Sequence, residues 1–314
     1  MKSVCICVAT YNGEKYLKEQ LDSLLNQTYE NINIIVQDDC SSDKTMEILQ
    51  NYQHKITIYK NEKNLGYIKN FESLIKKANG DLIALCDQDD IWQKDKIEIL
   101  VNQIKEYSLI YSNSLLIDKN KKSLNKTLKE KLKNNFIDSN NALNFVFDNC
   151  VSAHSMLFKK ELLPHLTSFP EKIFFDQYIA IIASSLNGIK YIDKELVLYR
   201  QHDSNTVGNH KKKKISILEK IKNKLNKKAS INLLILNKLQ EIQKIKTLSA
   251  EDKEKLSIMI NFHKDFKNRF FNLKALFFYL KNKNILFAIS TKNKTITAIK
   301  KSIGYKLYKV LPIL

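Results

Sequence analysis

Glycine and proline are scarce, at 6 and 3 of 314 residues. That scarcity excludes collagen-like repeats, Gly/Pro-rich linkers and turn-dense all-β designs. The five cysteines (5, 7, 40, 86 and 150) are odd in number and form no C-x-x-C pair. They read as reduced core thiols of a cytosolic protein, not as a disulfide frame or a zinc site. Long apolar runs are also missing. The uncharged stretch 177–189 has 13 residues, includes Gly188, and is too short to span a bilayer. Residues 1–10 carry no signal-peptide cleavage pattern. What is present is 44% hydrophobic and 27% charged residues, the makeup of a chain with a packed core.

Arginine is nearly absent, with two residues against 50 lysines. The distribution of charge says more than its total of +19. Residues 1–207 carry 26 basic and 27 acidic side chains, whereas 208–314 carry 26 and 6. The chain therefore reads as a near-neutral body, 1–207, followed by a strongly basic, mainly helical region, 208–314. The break falls at the four lysines 211–214. A segment this basic implies an anionic surface as partner, unless lysine is merely the default surface residue.

Residues 3–9 (SVCICVA), 32–36, 56–59 and 82–86 are apolar runs of strand length. Between and after them lie helical patterns: Leu17, Leu21, Leu24 and Leu25; 43–52, opened by Ser41 and Ser42 as caps; 67–78; and 94–106. This alternation predicts an α/β fold, a mostly parallel sheet with helices on both faces. Residues 119–141 are polar and read as a surface excursion. Further order is expected at 142–147, 156–158, a helix over 176–186, and a strand pair at 190–192 and 196–200.

Ligands of such sheets bind at the carboxyl ends of the strands. There the first strand leads into Thr10-Tyr11-Asn12-Gly13, the second into Asp38-Asp39, and the fourth into Asp87-Gln88-Asp89-Asp90. Carboxylates converging at one edge repel each other unless a cation lies among them. Mg²⁺ or Mn²⁺ sharing its shell with a diphosphate answers that need. An Asp-x-Asp after a strand offers one carboxylate to the metal and another to a ribose or sugar.

The blocks VATYNGEKYL, VQDDCSSDKT, NLGYIKNFE, ALCDQDDIWQKDKI and YRQHDSNTVG together resemble a family 2 glycosyltransferase of the GT-A fold. The last block resembles the rhamnosyltransferase-like subgroup that builds cell-surface polysaccharides. The resemblance covers about residues 3–210. It implies that Thr10, Tyr11 and Asn12 contact the nucleotide, that Asp39 with Asp38 beside it binds the base, and that Asp87 and Asp89 form the DxD motif. Asp89 is then a metal ligand, with His202 completing the shell, and Asp87 contacts ribose or sugar. Lys69 and Arg200 are expected at the diphosphate. Asp176, at the head of its helix, matches the general base of inverting transfer. Phe175 and Gln177 flank it where many relatives carry His before the aspartate and aromatics after it. Asp148, Asn149 and His154 resemble the acceptor-side segment. Trp92 is expected in the core rather than on a sugar.

The implied activity is inverting, metal-dependent transfer from a UDP- or dTDP-linked sugar, with rhamnose one candidate, to a cell-envelope or capsular polysaccharide precursor. Two alternatives are weaker. A polyanion- or nucleic-acid-binding protein acting through the basic tail would leave the acidic loops unexplained. That tail also lacks the glycines and interleaved aromatics of an RNA-binding module, so no nucleic-acid partner is expected. A nucleotidyltransferase would need a Gly-rich, Lys/Arg-containing loop after the first strand. The expected partners are a nucleotide-diphospho-sugar, a glycan or lipid-linked glycan acceptor and an anionic membrane; homo-oligomerisation stays open. Phe262, Phe266, Phe270, Leu273, Phe277 and Leu280 step at helical spacing and predict one apolar helix stripe opposed by lysines. With the apolar-basic sequence at 285–289 and 303–314, this stripe would hold a cytoplasmic protein on the inner face of the cell membrane.

Overall fold

The computed structural model of the chain describes residues 1–166, 168–202 and 217–304. The lysine run 211–214 and the terminal segment 305–314 lie outside the described residues. Strands β1 (Val4–Thr10), β2 (Ile32–Asp38), β3 (Thr57–Lys60), β4 (Leu82–Cys86), β5 (Ile91–Trp92), β6 (Leu109–Ile117), β7 (Ser123–Thr127), β8 (Met156–Lys159) and β9 (Ile189–Arg200) form one nine-stranded sheet. Its order is β3-β2-β1-β4-β8-β6-β9-β5, with β7 paired to β6. The first four strands are parallel. Beyond β4, β8 runs antiparallel to both β4 and β6, while β9 runs parallel to β6.

The apolar runs without alternation follow from burial on both faces. Cys5, Cys7, Ile83 and Leu85 point to one core; Val4, Ile6, Val8, Leu82 and Ala84 point to the other. The second core is covered by α1 (Leu17–Leu25), α2 (Thr45–Asn51) and α4 (Lys96–Ile104). The first is covered by α3 (Tyr67–Ile75) and α6 (Phe175–Ser185) and then, across the second half, by the C-terminal helices. These are α7 (Ile217–Gln243), α8 (Ala250–Lys264), α9 (Leu273–Lys281), α10 (Lys283–Leu286) and α11 (Lys294–Ser302). The short α5 (Leu128–Leu132) sits under a complete Thr127–Glu130 capping box.

Several expectations need correction. The excursion 119–141 contains β7 and α5. The strand pair at 190–192 and 196–200 is one long strand, β9, with irregular pairing to β6 near Ser112–Ser114. β6 itself, absent from the expectations, is buried at the middle of the second half of the sheet. Its polar Ser112-Asn113-Ser114 breaks the apolar run that would have announced it. The first turn of α2 is held by Asp43, which accepts from the Thr45 amide (3.0 Å) and hydroxyl, not by Ser41 or Ser42.

The single stripe from Phe262 to Leu280 does not exist. The helix stops at Lys264, passes through a 3-10 turn over Asp265–Lys267, and restarts at Leu273 under an Asn272 cap. Phe266 is buried, and Phe262 and Leu280 pack on the core. Phe270, Leu273 and Phe277 are 53%, 63% and 69% exposed. The basic region is thus joined to the body through a common core. Leu239, Ile242, Met259, Tyr279 and Phe287 pack into the same cluster as Phe145 and Ile179. Backbone and side-chain bonds cross between them, among them Asn135 N to Ile289 O (2.7 Å) and Asn144 Nδ2 to Ile285 O (2.8 Å). Among the described residues, no helix is long and apolar enough to cross a membrane.

Candidate active site

Parallel pairing puts Thr10 level with Asp38, so the loops after β1, β2 and β4 leave the same edge of the sheet. They are laced together. Asn12, at φ 48°, accepts from the Ser42 amide (2.9 Å) and donates its own amide to Ser41 Oγ (2.9 Å). The Gly13 amide donates to Thr45 Oγ1 at 2.7 Å. Gln88, between Asp87 and Asp89, accepts from the Tyr11 amide (2.8 Å) and donates to the Tyr11 carbonyl (3.0 Å). A Cβ at position 13 would overlap the Gln88 carboxamide, so a side chain there would push Gln88 off its bonds to Tyr11. Tyr11 stays half exposed at the edge.

Asp38 and Asp39 are buried and bonded to the protein. Asp38 accepts from Thr10 Oγ1 (3.2 Å), the Ser41 amide (2.9 Å) and the Ser41 hydroxyl. Asp39 accepts from Asn61 Nδ2 (2.7 Å) and the Leu65 and Gly66 amides (both 2.8 Å). It thereby fixes the N-L-G turn at the head of α3, where Gly66 adopts φ 81°.

The acidic loop after β4 splits into two layers. In the outer layer Asp89 Oδ2 lies 2.9 Å from His202 Nε2, whose ring stands 5.0 Å from Tyr16. The inner layer is closed. Asp90 is fully buried, with Oδ1 accepting from the Arg200 amide (3.0 Å) and Oδ2 unpartnered. His154 Nδ1 lies 3.8 Å from Asp87 and 3.9 Å from Asp90, while its Nε2 meets Ser114 Oγ at 3.0 Å. Beneath them, buried Lys96 donates to the His154 carbonyl (2.6 Å) and stands over the Trp92 ring at 3.1 Å. Trp92 is therefore a core residue.

Burial, with Asp89 and Asp176 nearby, raises Asp87 to about 7, and burial raises Asp90 well above the usual carboxylate range. Burial and the Lys96 charge hold His154 down at about 3, so its ring is neutral. Asp87, Asp90 and His154 could together ligate a cation. However, Asp90 and His154 are sealed from solvent, with the Lys96 amine, pushed well below the usual lysine range by burial, directly below. The outer pair, Asp89 and His202 with Asp87 beside them, fits a metal that must also reach a diphosphate, and its oxygen and imidazole donors suit Mn²⁺ or Mg²⁺.

Two expected donor contacts change. Arg200 is 1% exposed, and its guanidinium donates to the Asp89 carbonyl (2.8 Å), the Lys119 carbonyl (3.2 Å) and Glu19 (2.7 Å). It braces the acidic loop, with its guanidinium 4.5 Å from the Tyr16 ring centroid. Lys69 pairs with Glu72 at 2.9 Å along the side of α3, rather than with the acidic loops. Asp176 opens α6 and is half-buried, with Phe175 stacked on Phe71 at 5.0 Å. Burial raises it to about 6, and it acts electrostatically on Asp87. Asn149 turns inward, bonding the Val151 carbonyl (2.7 Å) and amide (3.1 Å). The sequence reading missed Gln88, Lys96 and Tyr16. Gln88 lies inside the motif; the other two look like ordinary helix and loop residues until the fold brings them under it.

A family model described as "Glycosyl transferase family 2" matches residues 5–166. The chain belongs to this family. The dTDP-rhamnosyl transferase RfbG of Shigella flexneri is 32% identical over 222 residues, covering 64% of this chain and 73% of that protein. Among solved structures, S. aureus TarS 1-349 in complex with UDP-GlcNAc aligns with a TM-score of 0.56 at 21% identity, covering 84% of this chain and 72% of that one. The mannosyltransferase PcManGT of Pyrobaculum calidifontis, in complex with GDP-Man and Mn²⁺, aligns with a TM-score of 0.50 at 14% identity, covering 95% and 74%. At these identities the structural likenesses establish the GT-A fold. Family and fold together make the chain a nucleotide-sugar glycosyltransferase.

Proposed function

We propose that this glycosyltransferase catalyses inverting, metal-dependent sugar transfer from a UDP- or dTDP-linked donor to a cell-envelope polysaccharide precursor. The observation that carries this reading is the meeting of two distant segments. Asp176, from the head of α6, is close enough to act electrostatically on Asp87 of the loop after β4, so a candidate proton acceptor stands near the acidic edge. The RfbG relative supports rhamnose as the sugar; the TarS complexes support uridine as the base.

In this mechanism Thr10, Tyr11 and Asn12 border the nucleotide, and the Asp38–Ser41 and Asp39–Gly66 bonds keep their loops in place. Asp87 and Asp89 with His202 would hold the cation. Bound there, it would offset the negative charge that grows on the departing diphosphate. Asp176 accepts the acceptor hydroxyl's proton as that oxygen attacks C1 from the face opposite the nucleotide, which inverts the anomeric centre. Its pKa near 6 leaves it mostly ionised at neutral pH yet more basic than a surface aspartate. The buried Arg200 and Lys96 support the acidic loop from below.

The exposed Phe270, Leu273 and Phe277 with exposed lysines 267, 274 and 281 support peripheral docking on an anionic membrane, with the catalytic edge served from the cytoplasm. Incubation with UDP- and dTDP-sugars tests the activity. Release of nucleoside diphosphate in the presence of Mn²⁺ is expected; release of pyrophosphate, or no turnover of any nucleotide sugar, would refute it.

A further inference from the structure

The closed layer beneath the acidic loop presents a second set of metal donors. His154 Nδ1 stands 3.8 Å from Asp87 Oδ2 and 3.9 Å from Asp90 Oδ2. The three residues each offer one ligand atom within 4.8 Å of the others. These separations are too long for hydrogen bonds. They suit atoms that share one cation, each about 2.0–2.2 Å from it and so about 3–4 Å apart.

The surroundings point the same way. Asp90 is fully buried, and its Oδ2, the atom turned toward His154, has no hydrogen-bond partner. A carboxylate oxygen so placed is costly unless a cation meets it. The buried His154 ring stacks on Tyr199 at 4.5 Å, and its Nε2 lies 3.0 Å from Ser114 Oγ. With the ring proton on Nε2, the Ser114 hydroxyl accepts it, and Nδ1 turns a lone pair toward both carboxylates. Such a bond from the far ring nitrogen is the usual support of a ligating histidine. Asp90 is supported likewise, since its Oδ1 accepts from the Arg200 amide at 3.0 Å. Lys96 does not fill the gap. Its amine donates to the His154 carbonyl, and among the described residues it forms no ion pair within 4.0 Å with Asp87 or Asp90.

We infer that Asp87, Asp90 and His154 bind a divalent cation separate from the one at the donor edge. Two carboxylates and one imidazole favour Mn²⁺ or Zn²⁺ over Ca²⁺. Asp90 and His154 are sealed, so this ion stays out of a diphosphate's reach, and Asp87, the partly exposed member, marks its way in. Only Oδ2 of Asp87 is used, which leaves Oδ1 for the outer edge. The ion ties the loop after β4 to the segment of His154 and, through Ser114, to β6. It therefore holds the acidic loop in place before any donor arrives. This goes beyond the proposed transfer mechanism and depends on no step of it.

The test counts metal in the full chain. Protein incubated with Mn²⁺ or Zn²⁺ is desalted and analysed by inductively coupled plasma mass spectrometry. One ion per chain is expected to remain in the wild type, and also in Asp89→Ala and His202→Ala, because the donor-edge ion exchanges and is washed away. Asp90→Asn keeps the oxygen that accepts from Arg200 but loses the charge, and should retain about a tenth or less; Ser114→Ala should weaken retention about tenfold. Should Asp90→Asn unfold, X-ray absorption on metal-loaded His202→Ala replaces it, with an imidazole nitrogen and oxygens expected at about 2.0–2.2 Å. No retained ion in the wild type, full retention in Asp90→Asn, loss from Asp89→Ala, or an ion without imidazole in His202→Ala overturns the inference. Mn²⁺-dependent hydrolysis of a nucleotide sugar is measured alongside. Hydrolysis without a retained ion shows that the inner site alone is wrong. A retained ion without hydrolysis shows that the glycosyl-transfer reading is wrong while the inner site stands.

Discussion

Replacing Asp176 by Asn separates a catalytic base from a merely structural carboxylate, because the two roles predict opposite changes. Asparagine keeps the size and the oxygen that accepts from the Gln177 amide at 2.6 Å, but it takes up no proton at neutral pH. Transfer should fall about a hundredfold or more, the usual scale for loss of a general base, with nucleotide-sugar affinity nearly unchanged. Stability should move the other way. The folded carboxyl titrates near 6 against an ordinary value of 3.8, so the fold disfavours its ionisation. A shift of that size corresponds to at most about 3 kcal/mol, and partial solvent contact reduces it to about 1–2 kcal/mol. This destabilisation is absent below about pH 4, grows between 4 and 6, and is complete above 6. Asp176→Asn should therefore be more resistant to urea than the wild type at pH 7 and equal to it at pH 4. Wild-type transfer at saturating Mn²⁺ should fall tenfold per pH unit below about 6, and the variant's residual rate should lose that limb. A variant that is both slower and less stable at pH 7, or one that keeps wild-type transfer, refutes the reasoning.

Asp89→Ala should abolish Mn²⁺-dependent turnover and weaken Mn²⁺ binding, read by electron paramagnetic resonance, about a hundredfold; His202→Ala should weaken it about tenfold. Wild-type turnover in excess EDTA would contradict both. Gly13→Ala forces its new methyl into the Gln88 carboxamide, so a loss of about 1–2 kcal/mol in stability and weaker nucleotide binding are expected. Gln88→Ala added to it should recover part of the stability, and a fully additive double variant would show that the two residues do not touch. Leu273→Asp with Phe277→Asp should abolish sedimentation with anionic liposomes at low salt while leaving donor hydrolysis intact. Equal sedimentation of this variant and the wild type would remove that patch from membrane docking.

The parallel half of the sheet was legible because each strand is apolar on both faces and each helix carries one apolar side. Those local patterns survive without tertiary information. β6 and the single strand β9 were not legible, since Ser112-Asn113-Ser114 and Asp193-Lys194-Glu195 interrupt their apolar runs. Pairing with neighbours, not pattern, makes them strands. At the site, the order of the acidic loops on one edge followed from strand order alone. The use made of each side chain did not. Asp39 and Arg200 were expected at the donor, and what the pattern could not show is that each is also buried and bonded to groups brought from elsewhere in the chain.

The C-terminal region shows the same division at larger scale. Its excess of lysine over acid is a property of sequence and by itself implies an anionic partner. The apolar residues from Phe262 to Leu280 have helical spacing, but spacing cannot register a break that depends on an Asn272 cap and on packing against the body. Composition and periodicity report what each segment can do alone. Which of two phenylalanines meets solvent depends on contacts between residues distant in sequence, and those exist only once the common core has closed.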